Sequence, residues 1–193
     1  MTCIVGITDG KNVWIGGDSA GVDGANLTIR ADEKVFRRVD ESNVVWLFGF
    51  TTSFRMGQLI HYDLCLPKIE DGDRLDLHRF MVKKFIPALR DCLSVGGWQA
   101  KKDEREQGGQ FIVGILGELF SIEDDYQVHK PARPYHAVGS GANVALGALY
   151  ASRASKQNPR RRILTALEAA EAFNTSVRGP FKILETGTEE SVS

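Results

Sequence analysis

Thr2 directly follows Met1, and a threonine at this position could become a nucleophile at the N-terminus of the chain. Threonine is small enough for an aminopeptidase to remove the preceding methionine, which would leave a free α-amine beside the Thr2 hydroxyl. A free α-amine has a pKa of about 7.7 to 8.0, so part of it is unprotonated near neutral pH. It could accept the hydroxyl proton and so act as a built-in general base. The start therefore predicts an N-terminal nucleophile, although many Met-Thr proteins use neither group.

Asp18 and Lys34 are the charged residues that could assist this nucleophile, at offsets of 16 and 32 residues from Thr2. A lysine ammonium near the Thr2 hydroxyl would lower the pKa of that hydroxyl, and an aspartate would hold the lysine charged and oriented. The alternative is an ordinary surface ion pair, which contributes little to stability.

Two glycine sites could supply backbone N–H donors to an anion. Gly49 follows a buried apolar run, and Gly139-Ser140-Gly141 precedes a helix pattern. Amides at a helix start bind anions, and either site could stabilise an oxyanion. Each of them taken alone is more often a turn or a helix cap.

The elements that must position these residues begin with a hairpin. Cys3–Thr8 and Asn12–Gly17 are predicted strands, and Asp9-Gly10 between them is a strong hairpin turn signal. The return strand brings Asp18 back beside Thr2. Further strands are predicted at 34–39, 43–48, 110–115, 119–122, 132–138 and 181–184.

Helical periodicity alternates with these groups of strands. The predicted helices are 52–66, 75–93 with Pro87 as a kink or break, 142–155, and 160–173 opened by Asn158-Pro159. The segment 94–109 is Gly-flanked and charged, which predicts a loop. Segregated runs of strands and helices predict an α+β fold.

Composition limits the function classes. The 193 residues predict a single domain spanning 1–193, with a polar tail at about 186–193. A net charge of -1 argues against a nucleic-acid binder driven by bulk charge. The longest apolar stretch, 111–120, is too short to span a membrane. The segment MTCIVGITDG has no basic start and too short an apolar run for a signal peptide, so none is expected. Three widely spaced cysteines favour a reducing compartment, so a cytoplasmic location is expected.

The same residues resemble the proteasome β-subunit family, including the bacterial peptidase subunit of the HslV type. The resemblance covers most of the chain and is carried by MTCIVGITDGKNVWIGGDSA, ADEKVFRRV, LFGFTTSF, YHAVGSGANVALGAL and TALEAAEAF. In that family a nucleophilic threonine is followed by aspartate and lysine at the same two offsets, and a Gly-Ser-Gly precedes a helix.

The resemblance implies an N-terminal nucleophile hydrolase with a four-layer αββα sandwich. By this carry-over Thr2 would be the nucleophile, its own amine the base, and Lys34 the group that tunes the hydroxyl. Asp18 would orient Lys34, the Gly49 N–H would serve as oxyanion donor, and Ser140 would hydrogen-bond the Thr2 amine. The reaction would be peptide-bond hydrolysis through an acyl-enzyme ester.

The resemblance also implies an assembly: a homo-oligomeric ring that encloses the sites, takes unfolded polypeptide as substrate and is often fed by an ATPase unfoldase. The chain departs from the family pattern after the last long helix, where Thr175 and Arg178 stand in place of an aspartate and a serine. It also departs around Gly49, where Phe48 and Phe50 replace small residues beside the specificity pocket.

Three functions stay open on the sequence. The first is a threonine endopeptidase, the second a catalytically inactive assembly protein of the same fold, and the third an N-terminal nucleophile amidase acting on small amides.

Cys3 adjoins Thr2 but is expected to be a small buried residue rather than the nucleophile. The four histidines show no metal-ligand spacing, so neither a metal nor a cofactor is predicted.

Overall fold

The computed structural model describes residues 2–98, 100–102 and 105–187. Its strands are β1 Ile4–Thr8, β2 Val13–Gly17, β3 Ala20–Asp23, β4 Asn26–Ile29, β5 Val35–Val39, β6 Val45–Phe50, β7 Ala100–Lys102, β8 Arg105–Gln107, β9 Phe111–Ile115, β10 Glu118–Ile122, β11 Val128–His129, β12 Tyr135–Val138 and β13 Lys182–Glu185. Its α-helices are α1 Phe54–Gln58, α2 Asp71–Arg74, α3 Leu77–Phe80, α4 Ile86–Val95, α5 Ala142–Ala151 and α6 Pro159–Phe173.

Two antiparallel sheets form the centre of the molecule. The first has the strand order β12-β1-β2-β13, and the second has the order β11-β10-β9-β6-β5. The β1–β2 pairing places Ile4 opposite Gly17, so the end of β2 returns beside the start of β1 as the Asp-Gly turn predicts. Asp18 thereby comes to lie close to Thr2 in space.

Apolar packing divides the protein into four layers. One cluster of buried side chains, which includes Ile4, Ile15 and Leu47, joins the facing sides of the two sheets. A second cluster packs α5 and α6 on the first sheet, and a third packs the helices of residues 54–95 on the second sheet. The predicted αββα sandwich of α+β type is therefore confirmed.

The two predicted helices of the first helical layer are less regular than the sequence indicates. Residues 54–63 are α1 continued by a π-helical turn, Leu59–Asp63, and 77–95 is interrupted by a second π-helical segment, Met81–Phe85. Pro87 lies at the start of α4, which follows directly on that π-helical segment. Because proline has no N–H, it cannot donate a helical hydrogen bond across this junction. The chain is helical through Pro87, and the change of helix type lies on its N-terminal side, so no break into two helices occurs at the proline itself.

Two hairpins depart from the expectations. The sequence predicts a loop over 94–109, but β7 and β8 pair within it, while residues 99, 103 and 104 lie outside the described part. The β3–β4 hairpin was not predicted, although Asp23-Gly24 is the same turn signal as Asp9-Gly10, and Gly24 has a φ of 56°. The polar tail predicted for 186–193 lies outside the described residues beyond position 187.

Candidate active site

Thr2, Asp18 and Lys34 meet at the open end of the first hairpin. The Lys34 ammonium nitrogen Nζ donates to Thr2 Oγ1 at 3.0 Å and to Asp18 Oδ1 at 2.9 Å. Asp18 extends β2 beside β1, and Lys34 lies directly before β5, so both sheets contribute to the contact. The arrangement is the one that the offsets of 16 and 32 residues predict.

These three residues are buried, which decides against a surface ion pair. The side chain of Lys34 is 1% exposed and that of Asp18 is 0% exposed. Asp18 is also held by backbone donors, because Oδ1 accepts the N–H of Cys3 at 3.0 Å and Oδ2 accepts the N–H of Ala20 at 3.0 Å. The carboxylate is therefore fixed in place before it orients the lysine.

Burial also changes the acid–base character of the site. Desolvation lowers the pKa of Lys34 below its ordinary value, while the charge of Asp18 and the hydrogen bond to it oppose that shift. Burial raises the pKa of the Cys3 thiol to about 12, with the Asp18 charge adding to the effect and Lys34 opposing it. A protonated, buried thiol is a poor nucleophile, so Thr2 rather than Cys3 is the reactive candidate.

Ser140 lies on the other side of Thr2, in the turn that leads into α5. Its hydroxyl Oγ accepts a hydrogen bond from the Thr2 backbone nitrogen at 3.1 Å. The carbonyl oxygen of Thr2 accepts the N–H of Gly141 at 3.2 Å, so the start of β1 is tied to this turn. The contact that the resemblance implies for Ser140 is therefore present in the geometry.

Gly49 is placed differently from the expectation. Phe50 donates its N–H to the carbonyl of Lys34 on the β5 side. Since successive residues of an antiparallel strand direct their N–H groups to opposite neighbours, the N–H of Gly49 is directed at β9, where the register pairs it with Ile112. The oxyanion role of Gly49 stays a prediction, and in this arrangement it would require the bond to β9 to open.

The segment after α6 supports the Ser140 turn through a residue that the sequence analysis did not single out. Asn174 donates its side-chain Nδ2–H to the carbonyl of Ser140 at 2.9 Å, and its Oδ1 accepts the N–H of Ser176 at 2.9 Å. Thr175, which stands at the family's aspartate position, is exposed. The sequence signal that could have identified Asn174 is an asparagine at the end of a predicted helix, because asparagine side chains there often hydrogen-bond to nearby backbone groups.

Arg178, at the family's serine position, binds backbone rather than the site. Its Nη1 donates to the carbonyls of Glu171, Asn174 and Val177 at 3.3, 3.1 and 2.6 Å. The backbone carbonyl of Arg178 accepts a hydrogen bond from the N–H of Ser19. The segment is therefore anchored both to the end of α6 and to the residue after Asp18.

The two phenylalanines beside Gly49 have separate positions. Phe48 is fully buried and stacks on Phe36 and Trp46, so its ring belongs to the core of the second sheet and its helices rather than to an open pocket. Phe50 lines a cavity together with Phe54. The ring of Phe54 lies 5.7 Å from Lys34 Nζ, which places this aromatic cavity beside the site.

Comparison with known proteins agrees with the fold. Neither a protein-family model nor a curated protein matches the chain. Among solved structures, Thiobacillus denitrificans BPH matches with a TM-score of 0.74 at 18% identity, over 96% of this chain and 97% of that one. HslV from Trypanosoma brucei matches with a TM-score of 0.66 at 18% identity, over 95% and 98%.

Anbu, the ancestral β-subunit from Yersinia bercovieri, matches with a TM-score of 0.69 at 12% identity, over 96% of this chain and 81% of that one. HslV and Anbu have the proteasome-like, N-terminal nucleophile hydrolase fold. The resemblance stated from the sequence is thus confirmed for the fold. At identities of 12% to 18%, this structural similarity shows the fold and does not show the activity.

Proposed function

We propose that this protein is a threonine endopeptidase whose nucleophile is Thr2 after removal of Met1. The observation that carries the proposal is the buried bond of 3.0 Å from Lys34 Nζ to Thr2 Oγ1, backed by Asp18 at 2.9 Å. A buried lysine paired with a hydroxyl is an expensive arrangement that contributes little to stability by itself. Such a cluster is typical of an activated nucleophile.

The proposed reaction has two steps. The Thr2 hydroxyl oxygen attacks the scissile carbonyl carbon while its proton passes to the free α-amine of the same residue. Collapse of the tetrahedral intermediate returns that proton to the leaving amine and leaves an ester on Thr2. Water then attacks the ester, the α-amine again accepts and returns the proton, and the carboxylic acid is released.

The contacts of the described residues fit this sequence of steps. Lys34 donates to the attacking oxygen and so stabilises the negative charge that develops on it. Ser140 Oγ lies 3.1 Å from the Thr2 nitrogen, where it would orient the α-amine. The substrates we propose are unfolded polypeptides, reached inside a homo-oligomeric ring with an ATPase unfoldase as partner.

The test begins with the N-terminus and the nucleophile. Intact-mass analysis of the purified protein is expected to show loss of Met1. Thr2→Ala is expected to abolish hydrolysis of an unstructured casein substrate, because no hydroxyl remains to form the ester. Thr2→Ser is the matched control and should retain part of the activity. Cleavage by a protein that keeps Met1, or by Thr2→Ala, would exclude the mechanism.

An active-site label separates the peptidase from an inactive assembly protein. A structure of BPH from Thiobacillus denitrificans contains epoxomicin. We expect epoxomicin to add to Thr2 of this chain and not to Thr2→Ala, as measured by peptide mass mapping. The inactive alternative is motivated by the direction of the Gly49 N–H toward β9, and absence of labelling in Met1-free, folded protein would favour it.

The small-amide alternative is tested with the same protein. A panel of small amides is compared with casein at equal enzyme concentration. We expect turnover of casein only, and turnover of small amides without casein cleavage would favour the amidase instead.

A further inference from the structure

Three side chains of metal-binding type meet at one edge of the sandwich, away from Thr2. They are Glu123 directly after β10, His129 in β11 and His136 in β12. One ligand atom from each lies within 4.8 Å of the others. The spacing of these residues along the chain resembles no metal motif, so only the fold brings them together.

Strand alternation directs His136 into the space between the sheets. In β12, Tyr135 and Ala137 pack on the helices α5 and α6, while Val138 belongs to the cluster between the two sheets. Alternate residues of a strand share a face, so His136 lies on the same inner face as Val138. It is half-buried there, at the sheet edge formed by β12.

The second sheet directs its two ligands into the same space. Leu119 belongs to the inter-sheet cluster, so Ser121 and Glu123 follow it on the inner face. The β10–β11 register pairs Ser121 with His129, and paired residues share a face. Glu123 and His129 are therefore diagonal neighbours that face His136 across the open edge of the sandwich.

The carboxylate is held in place by neighbouring donors. Ser121 Oγ donates to Glu123 Oε1 at 2.8 Å, and Gln110 Nε2 donates to Glu123 Oε2 at 2.7 Å. Each carboxylate oxygen keeps a further lone pair for a cation. Hydrogen bonds of this kind orient the ligands of metal sites and are part of their affinity.

The two imidazole rings lie close enough together to share one ion. Their ring centroids are 5.1 Å apart and the rings are nearly perpendicular, at 79°. One ring nitrogen of each histidine and one carboxylate oxygen of Glu123 lie within 4.8 Å of one another, so small side-chain movements would bring all three onto one ion.

We propose that Glu123, His129 and His136 form a binding site for one divalent transition metal of the zinc type. Two imidazole nitrogens and one carboxylate oxygen are the ligand set of open zinc sites, in which water takes the fourth position. His129 is exposed, and a cavity lined by His129, His136 and Arg133 gives access from solvent. A bound ion would link β12 of the first sheet to β10 and β11 of the second.

The experiment measures Zn²⁺ binding by competition with a chromophoric chelator, on full-length protein without a histidine tag. All proteins carry Cys65→Ala, because Cys65 is an exposed thiol that could bind zinc itself. We expect one equivalent of Zn²⁺ per chain. His129→Ala, His136→Gln and Glu123→Gln should each remove that equivalent. Ser121→Ala, which changes only a supporting donor, should weaken it by about tenfold.

His61→Gln is the matched control, because it removes a half-buried histidine outside the cluster. It should bind Zn²⁺ as the parent does. Unchanged stoichiometry in His129→Ala, or equal weakening in His61→Gln, would overturn the proposal. His129→Ala alters an exposed side chain, so it decides the question even where the other two variants fail to fold. Its melting temperature should not respond to Zn²⁺, whereas that of the parent should rise.

Discussion

At the residue scale, the buried pair of Lys34 and Asp18 is the feature that most needs an explanation. Both side chains are removed from solvent, and Lys34 divides its donors between Asp18 and Thr2. Desolvating two charges costs several kcal/mol per ion, which their attraction repays only in good geometry. The pair is therefore better explained by what it does to the Thr2 hydroxyl than by its contribution to folding.

Cys3 supports a prediction about stability at alkaline pH. Its thiol pKa is about 12 in the folded protein against an ordinary value of 9.0. Above pH 9 the unfolded chain loses this proton while the folded protein keeps it, so the free energy of unfolding falls as pH rises toward 12. The loss should reach about 1 kcal/mol by about pH 10 relative to neutral pH.

The measurement compares denaturant unfolding of the wild type and Cys3→Ala at neutral pH and near pH 10. The wild type should lose more stability than Cys3→Ala over this range. Cys65→Ala is the control, since Cys65 is exposed and its replacement should leave the pH dependence of the wild type unchanged. Equal pH dependence in the wild type and Cys3→Ala would contradict the buried, neutral thiol.

At the element scale, the site depends on the meeting of β1 with the turn before α5. Gly139 has a φ of 94°, which residues with a side chain rarely adopt. A Cβ at this position would also clash with the backbone carbonyl of Thr2. Glycine is therefore required where the turn carries Ser140 up to the Thr2 nitrogen.

Gly139→Ala is expected to displace Thr2 from Ser140 and to lower the free energy of unfolding by about 1 to 3 kcal/mol, from backbone strain alone. Epoxomicin labelling of Thr2 should slow as well, because the nucleophile and its supporting hydroxyl separate. Denaturant unfolding and labelling rates measure the two effects.

Gly147→Ala is the matched control for that substitution. Gly147 lies in α5, and a Cβ there would meet no atom within 4 Å. This variant should be more stable than the wild type by about 0.5 to 1 kcal/mol, since alanine favours the helix, and its labelling rate should not change. Similar behaviour of the two alanine variants would show that the Gly139 turn does not position Thr2.

At the scale of the whole molecule, the isolated chain leaves large apolar side chains in solvent. Leu75 and Val95 are each 90% exposed, and Phe173 at the end of α6 is 82% exposed. These residues lie on separate elements, and single exposed apolar side chains do not by themselves mark a subunit interface. In the described part of the chain no helix has the length and apolar character that a membrane crossing needs.

The proposed ring makes a prediction for native mass spectrometry. The protein should appear as a closed multiple of the 21.3 kDa chain rather than as a monomer. Thr2→Ala should assemble with the same number of subunits, because the hydroxyl is not needed for subunit contacts. A monomer at micromolar concentration would contradict the ring, and it would leave the chemistry of Thr2 to be judged by labelling alone.

Much of the fold could be predicted from local signals. The Asp9-Gly10 turn, the strand patterns around it and the Asn158-Pro159 helix start are short-range features, and the structure contains each of them. Local patterns failed where neighbours in space decide the conformation. The sequence analysis did not predict the π-helical turns at 59–63 and 81–85, because no periodicity distinguishes them from α-helix.

The sequence by itself determined the hairpin that returns Asp18 to Thr2, because a short turn and the strand register next to it are set over a few residues. Tertiary structure alone decided that the Gly49 N–H is directed at β9, that Asn174 supports Ser140, and that Glu123 meets two histidines. Each of these depends on contacts between distant segments. Such contacts are settled only when the two sheets pack face to face, since no local pattern encodes which edges will meet.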